Sequence, residues 1–184
     1  MSIMDNQEYF ELVKSFALDN GAYKAGIIKV RDVKTDVVFR DMCKANYCGK
    51  YGRCYTCPPD IGEIEELISK LGQYEYMLVF QTVSDLEDSY DVEGMEEAAK
   101  RHSGLLFSIM DKFGSKNLYL GAGGCTLCPK CGKITGEPCR FPDKALTSLE
   151  AYGINVSSLA VAAGMKYING SDTVTYFGAM LFNI

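Results

Sequence analysis

Apolar and polar positions alternate along this chain in blocks that switch between helical and strand periods. Tyr9, Phe10, Val13, Phe16 and Ala17 recur at helical spacing, predicting an amphipathic helix over 6–19 that Asn20-Gly21 stops. Residues 22–30 read as a strand, and a short segment over 35–42 follows. After Pro58-Pro59, Asp60 with Glu63 resembles a capping box. Ile64, Leu67, Ile68 and Leu71 then form a buried helical stripe ending at Gly72. Residues 76–83, with Met-Leu-Val-Phe at their centre, predict a strong strand, and the acidic stretch 84–93 a loop. A long helix over about 92–113 puts Met95, Ala98, Ala99, Leu106, Ile109, Met110 and Phe113 on one face, and Gly114 ends it. A short strand over 117–120 leads into Gly121-Ala122-Gly123-Gly124. Pro142 suits the first turn of a further helix carrying Ala145, Leu146, Leu149 and Tyr152 to Gly153. Ser157 or Ser158 is placed to cap a short helix ending at Gly164. The end reads as a hairpin, with 166–168 turning through Asn169-Gly170 into 174–182.

This alternation predicts an α/β fold over 1–184: a single domain with a mostly parallel sheet, flanking helices and a C-terminal hairpin. The length of 184 residues agrees with one domain. The net charge of −5 and pI near 5.0 argue against nucleic acid as a partner. Apolar runs are far too short to cross a membrane. The N-terminal Met1-Ser2-Ile3-Met4-Asp5 has neither a basic nor an apolar signal region, so a cytoplasmic protein is expected.

Cysteine changes the picture. All eight lie in two clusters, and cytosolic thiols stay reduced, so metal ligation is a better reading than a disulfide framework. The first group, Cys43-x4-Cys48-x5-Cys54-x2-Cys57, is followed by Pro58. The second is Cys125-x2-Cys128-x2-Cys131-x7-Cys139. Three cysteines at consecutive x2 spacing can each reach a different iron of a cubane, with a more distant fourth closing it. Bacterial ferredoxins use the same triplet, although a Cys-Pro follows theirs and Arg140 follows Cys139 here. Two metal-binding loops, at about 43–57 and 125–139, are therefore expected to hold two [4Fe-4S] clusters. Zinc held by four cysteines is the alternative, with Cys54-x2-Cys57 as one knuckle. Since each group follows a strand and precedes a helix, a parallel sheet would bring both to its carboxyl edge as neighbours.

The surrounding composition agrees. Residues 42–59 hold Lys44, Lys50 and Arg53 and no acid, and residues 124–141 hold Lys130, Lys133 and Arg140 against Glu137, so the rest of the chain is strongly acidic. Cations gather where thiolates would put negative charge, although loops are often rich in lysine. Gly49, Gly52, Gly121, Gly123, Gly124 and Gly132 allow close backbone approach to sulfur, or simply make turns. Tyr47, Tyr51 and Tyr55 recur every four residues, either as packing or as a lip over a cluster. His102 falls on the apolar stripe of the long helix, as a core histidine would. Gly121-x-Gly123 lacks the rest of a dinucleotide fingerprint, and Asn169-Gly170-Ser171 reads as a turn rather than a glycan acceptor.

The string Cys-Gly-Lys-Tyr-Gly-Arg-Cys-Tyr-Thr-Cys-Pro-Pro (48–59), the triplet at 125–131, Glu-Pro-Cys-Arg-Phe-Pro (137–142), Ser-Leu-Glu-Ala-Tyr-Gly-Ile-Asn-Val (148–156) and Val-Thr-Tyr-Phe-Gly (174–178) together resemble a family of predicted metal-binding proteins of bacteria and archaea, classed as a domain of unknown function. The resemblance implies cysteine-ligated metal in a largely anaerobic setting and supplies no reaction. It implies Cys43, Cys48, Cys57 and the second four as ligands and places Cys54 at a variable position. Without Cys54, the first site has three thiols and an open or non-cysteine position. Three functions follow: electron transfer with a redox partner protein, a cluster-dependent enzyme using an open iron as a Lewis acid, or a zinc-stabilised interaction module.

Overall fold

The computed structural model describes residues 5–184; Met1–Met4, part of the N-terminal segment read above for a signal, lie outside the described residues. Helix α1 (Asn6–Asp19) starts at Asp5, which forms a capping box with Glu8: Glu8 N–H donates to Asp5 Oδ1 at 2.9 Å and Asp5 N–H donates to Glu8 Oε2 at 3.2 Å. Strand β1 (Lys24–Lys29) and a 3-10 turn (Val30–Asp32) lead to helix α2 (Val38–Ala45), which carries Cys43, the first thiol. Helix α3 (Ile64–Leu71), strand β2 (Tyr76–Asp85), helix α4 (Val92–Phe113) and strand β3 (Leu118–Gly121) follow. The second thiol segment contains the one-turn helix α5 (Gly132–Thr135). The chain closes with β4 (Thr147–Ser148), a 3-10 turn (Glu150–Tyr152), α6 (Val156–Ala162) and β5 (Thr173–Phe182).

The five strands form one mixed sheet in the order β1-β2-β5-β3-β4. Three of its four pairings are antiparallel, and only β3–β4 is parallel, which corrects the mostly parallel sheet expected from alternation. The physical reason lies in β5. Strands β2 and β3 do run in the same direction across the α4 crossover, because each is antiparallel to β5. The final strand is inserted between them and hydrogen-bonds to both. Because β5 has a neighbour on each side, residues 166–168 form no strand, and the expected C-terminal hairpin is absent. The helix expected over Pro142–Tyr152 is also absent. Thr147 pairs with Leu120, Leu149 N–H donates to Gly121 O at 3.1 Å, and the apolar spacing serves a short strand and a 3-10 turn.

Two apolar layers flank the sheet. On one face, Val13 and Ala17 of α1 and Leu105, Leu106 and Ile109 of α4 cover Leu78, Phe80, Met180 and Phe182. On the other, Leu67 and Leu71 of α3, Tyr152, and Val156, Leu159 and Ala160 of α6 cover Met77, Val79, Ala179 and Leu181. Full burial of each such aliphatic side chain contributes about 1.5–3 kcal/mol. Asp60 does not cap α3: Glu63 occupies that position without a side-chain bond, and Asn155, rather than Ser157 or Ser158, caps α6. None of the helices is long and apolar enough to cross a membrane among the described residues.

His102 sits in the first of these layers, stacked on Phe80 at 5.3 Å between ring centroids, with Nδ1 2.9 Å from Thr82 Oγ1 and Nε2 without a partner among the described residues. Burial pulls its pKa down to about 4, against about 6.5 in an unfolded chain. The folded state therefore prefers the neutral ring. This contribution is complete above about pH 6.5 and is lost as pH falls through about 4. Between pH 7 and 4.5 the wild type should lose about 2–3 kcal/mol more stability than His102→Gln. Urea titrations of both proteins at the two pH values measure that difference; parallel losses would show that His102 is not the acid-sensitive group.

Candidate metal centre

The first thiol segment begins with Cys43 in the last turn of α2 and continues as a run of turns to α3. Its anchor is Arg40 on α2, a buried cation that sequence reading missed. Its Nη1 donates to Gly62 O at 3.0 Å and its Nη2 to Ala151 O at 3.3 Å, tying α2 to the chain before α3 and to the 3-10 turn at Glu150–Tyr152. Asp36 N–H donates to Gly153 O at 2.8 Å and Thr35 bridges Ile154, so the chain enters α2 already docked on the 148–156 segment. Beyond α2, Asn46 adopts a left-handed conformation, and its Oδ1 accepts from Tyr51 N–H at 3.0 Å, closing the turn that carries Cys48. Cys43 is half-buried, Cys48 exposed, Cys54 buried and Cys57 half-buried.

The second segment leaves the carboxyl end of β3 and folds back on itself. Gly132 lies so close to the returning chain that a Cβ there would stand 2.7 Å from Glu137 O and 2.8 Å from Pro138 O. Gly132→Ala should therefore push the Cys139 limb away from the triplet and cost about 1–3 kcal/mol. The change would be seen as a lower thermal midpoint together with reduced metal retention; an unaltered midpoint would mean the loop yields freely.

The two segments meet, by a route other than the parallel sheet that predicted it. Tyr55 Oη donates to Glu137 O at 2.8 Å, Cys125 N–H donates to Thr56 Oγ1 at 3.3 Å, and Lys133 pairs with Asp60. A Cβ on Gly124 would lie 3.0 Å from Lys50 Cγ and 3.1 Å from Cys57 Sγ. Of the three tyrosines, Tyr55 thus ties the loops together, whereas Tyr47 is 96% exposed and covers nothing. Three of the six cations are paired with carboxylates: Lys44 with Asp41, Lys133 with Asp60 and Arg140 with Glu137. Arg140 also hydrogen-bonds the Cys128 sulfur, which raises its own pKa.

The sulfurs do not divide by sequence order. Cys125, Cys128, Cys131 and Cys139 line one small hollow, walled by Leu127, Gly132, Arg140 and Phe141, and the fifth sulfur on its wall is Cys54 from the other segment. Cys54 Sγ lies 3.3 Å from Thr56 Oγ1. Its pKa is lowered to about 4, chiefly by a hydrogen bond from the Cys57 thiol, helped by the Thr56 hydroxyl and the N–H groups of Thr56 and Cys125, against the effect of burial. The Cys57 thiol is correspondingly pushed up by its bond to Cys54 and by burial. Burial also raises Cys43 and Cys125, while the N–H groups of Leu127 and Leu146 donate to the Cys125 sulfur and oppose the rise. Backbone donors aimed at sulfur are what a ligating thiolate requires. No three His, Cys, Asp or Glu side chains converge closely enough to hold a single metal ion among the described residues.

The comparisons agree on one point. A family described as a predicted metal-binding protein, DUF2284, matches residues 26–182. The chain belongs to that family. The match spans both thiol segments and all five strands but for the first two residues of β1. No curated protein and no solved structure matches. DUF2284 membership makes a metal cofactor the expectation without naming the metal. His102 lines a small hollow together with Gly121–Gly124 and Cys125, but not the hollow of the other second-group thiols. Thr56 was missed in the sequence, although it stands between two cysteines.

Proposed function

We propose that this chain is an iron–sulfur protein whose two thiol segments hold two [4Fe-4S] clusters, and that it passes single electrons to and from a redox partner protein. The observation that carries this reading is the hollow ringed by five sulfurs. A zinc ion needs four sulfurs about 2.3 Å from one point, whereas a cubane is a bulky core reached from several sides, as the 125–131 triplet and the limb bearing Cys139 approach this hollow. An all-thiol donor set is soft and suits iron–sulfide or zinc over harder cations. When bound, the clusters would supply one-electron redox chemistry. The chain's own part is to aim N–H donors at sulfur, to hold Phe141 and Leu127 over the hollow against water, and to keep the two segments in contact through Tyr55 and Thr56.

Anaerobic purification followed by iron, zinc and acid-labile sulfide analysis tests the reading. The expected result is a brown protein with about eight irons and about eight sulfides per chain. A folded, colourless, zinc-loaded protein from the same preparation would overturn it in favour of a zinc-stabilised module.

A further inference from the structure

Arg40, the one buried cation among the described residues, has no counter-charge. It is 8% exposed and makes no ion pair among those residues, whereas buried charges are ordinarily paired. A guanidinium has more N–H donors than the two used here, to Gly62 O and Ala151 O. Its Nε is left without a partner.

This side chain lines a hollow of about 390 Å³, within the ~300–1,000 Å³ range of small-ligand pockets. One wall is a single face of α2, where Val37 at the N-cap, Arg40, Asp41 and Lys44 recur at helical spacing. The other wall is the chain entering α3, with Glu63, Ile64 and Glu65, and Tyr51 joins them from the first thiol segment. Arg40 and Ile64 are buried, whereas Asp41, Lys44, Glu63 and Glu65 are exposed. The inner part of the hollow is therefore cationic and its rim is charged on both sides. On that rim, Lys44 is neutralised by Asp41 at 3.1 Å, while Glu63 and Glu65 have no ion-pair partner among the described residues.

We propose that this hollow binds a small zwitterion, an α-amino acid with an apolar side chain. Its carboxylate meets the unused N–H groups of Arg40, its ammonium group meets the rim carboxylates of Glu63 and Glu65, and its side chain lies on Val37, Ile64 and Tyr51. Glu63 directly follows the Gly62 carbonyl that Arg40 holds at 3.0 Å, so one small molecule can span both charges. A simple anion would gain Arg40 but face the rim carboxylates. A simple amine would gain the carboxylates but leave Arg40 unpaired. Only a ligand with both charges satisfies both. No cysteine lines the hollow, so the assignment does not depend on which metal the thiols hold.

The test is isothermal titration calorimetry on the full chain, purified anaerobically with its metal in place. The probes are L-leucine, isocaproate (the same skeleton without the amine) and isoamylamine (the same skeleton without the carboxylate). L-leucine should bind saturably, and each analogue at least about tenfold more weakly, the size of a lost hydrogen bond to a charged group. The double variant Glu63→Gln, Glu65→Gln, changed only at exposed positions, should bind L-leucine several-fold more weakly and bring it level with isocaproate. Arg40→Lys keeps the charge but loses the fork, and should also bind L-leucine several-fold more weakly. Wild-type protein that does not bind L-leucine would overturn the proposal and leave Glu63 to serve as the counter-ion of Arg40. Isocaproate binding as tightly as L-leucine would overturn it in favour of a plain anion pocket, and isoamylamine doing so would leave only an acidic rim. Unchanged L-leucine affinity in the double variant would place the ligand elsewhere. The three-probe comparison on wild-type protein decides the matter even if Arg40→Lys fails to fold.

Discussion

The double variant Cys125→Ala, Cys128→Ala should retain about four of about eight irons, with the loss confined to one of the two reduced-cluster signals. The expectation follows from where these sulfurs sit. Both belong to the hollow that Cys131, Cys139 and Cys54 complete, and neither lines the surroundings of Cys43 and Cys48. Removing two of its sulfurs leaves Cys131 and Cys139 as the only thiols from this segment, two short of the four that saturate a cubane. A single substitution would be a weaker test, because Cys54 is near enough to serve as a substitute. Iron and sulfide should fall together, and the remaining signal should match the wild-type signal of the first centre. Complete loss of both clusters would mean that the two segments assemble as one unit, which their shared contacts through Tyr55, Thr56 and Lys133 make the chief competing outcome.

Much of the local structure was legible because it depends on nearest neighbours along the chain. The helix over 92–113 was read at its observed bounds because Asp91 and Gly114 punctuate a strong apolar stripe. The core position of His102 followed from the same stripe. What was not legible depended on which strands meet. Alternating strands and helices look alike whether a final strand extends an edge or enters the middle of a sheet, and β5 enters the middle. The apolar residues Ala145, Leu146, Leu149 and Tyr152 have helical spacing, yet a two-residue pairing with β3 outweighs it. At the site, the cysteine pool was plain from spacing, but its division was not. Cys54 belongs to the first group in sequence yet lines the hollow of the second, beside Thr56, whose hydroxyl accepts from Cys125 N–H. Asp60 shows the same limit: it has the spacing of a cap but is taken by Lys133 across the loop contact.

Replacing Phe80 by Ala should cost about 3–5 kcal/mol, the largest stability loss expected from a single substitution in this protein. Phe80 is fully buried on the interior strand β2, opposite Gly178 of β5, and its ring lies over that glycine. A Cβ on Gly178 would stand 2.4 Å from Phe80 Cζ and 2.9 Å from Cε2. Nor can the ring retreat, because its other face stacks on His102, which Thr82 holds in place. Gly178 therefore trades strand propensity for an aromatic cover, and the pair is a single packing unit. Gly178→Ala alone should cost about 1–3 kcal/mol through overpacking. Introduced into the Phe80→Ala background, the same change should cost little or become favourable, because the space is then open and alanine suits a strand better than glycine. Urea unfolding of the four proteins of this cycle measures the coupling. A coupling energy near zero would show that the ring escapes the added methyl, and that the glycine is there for a reason other than Phe80.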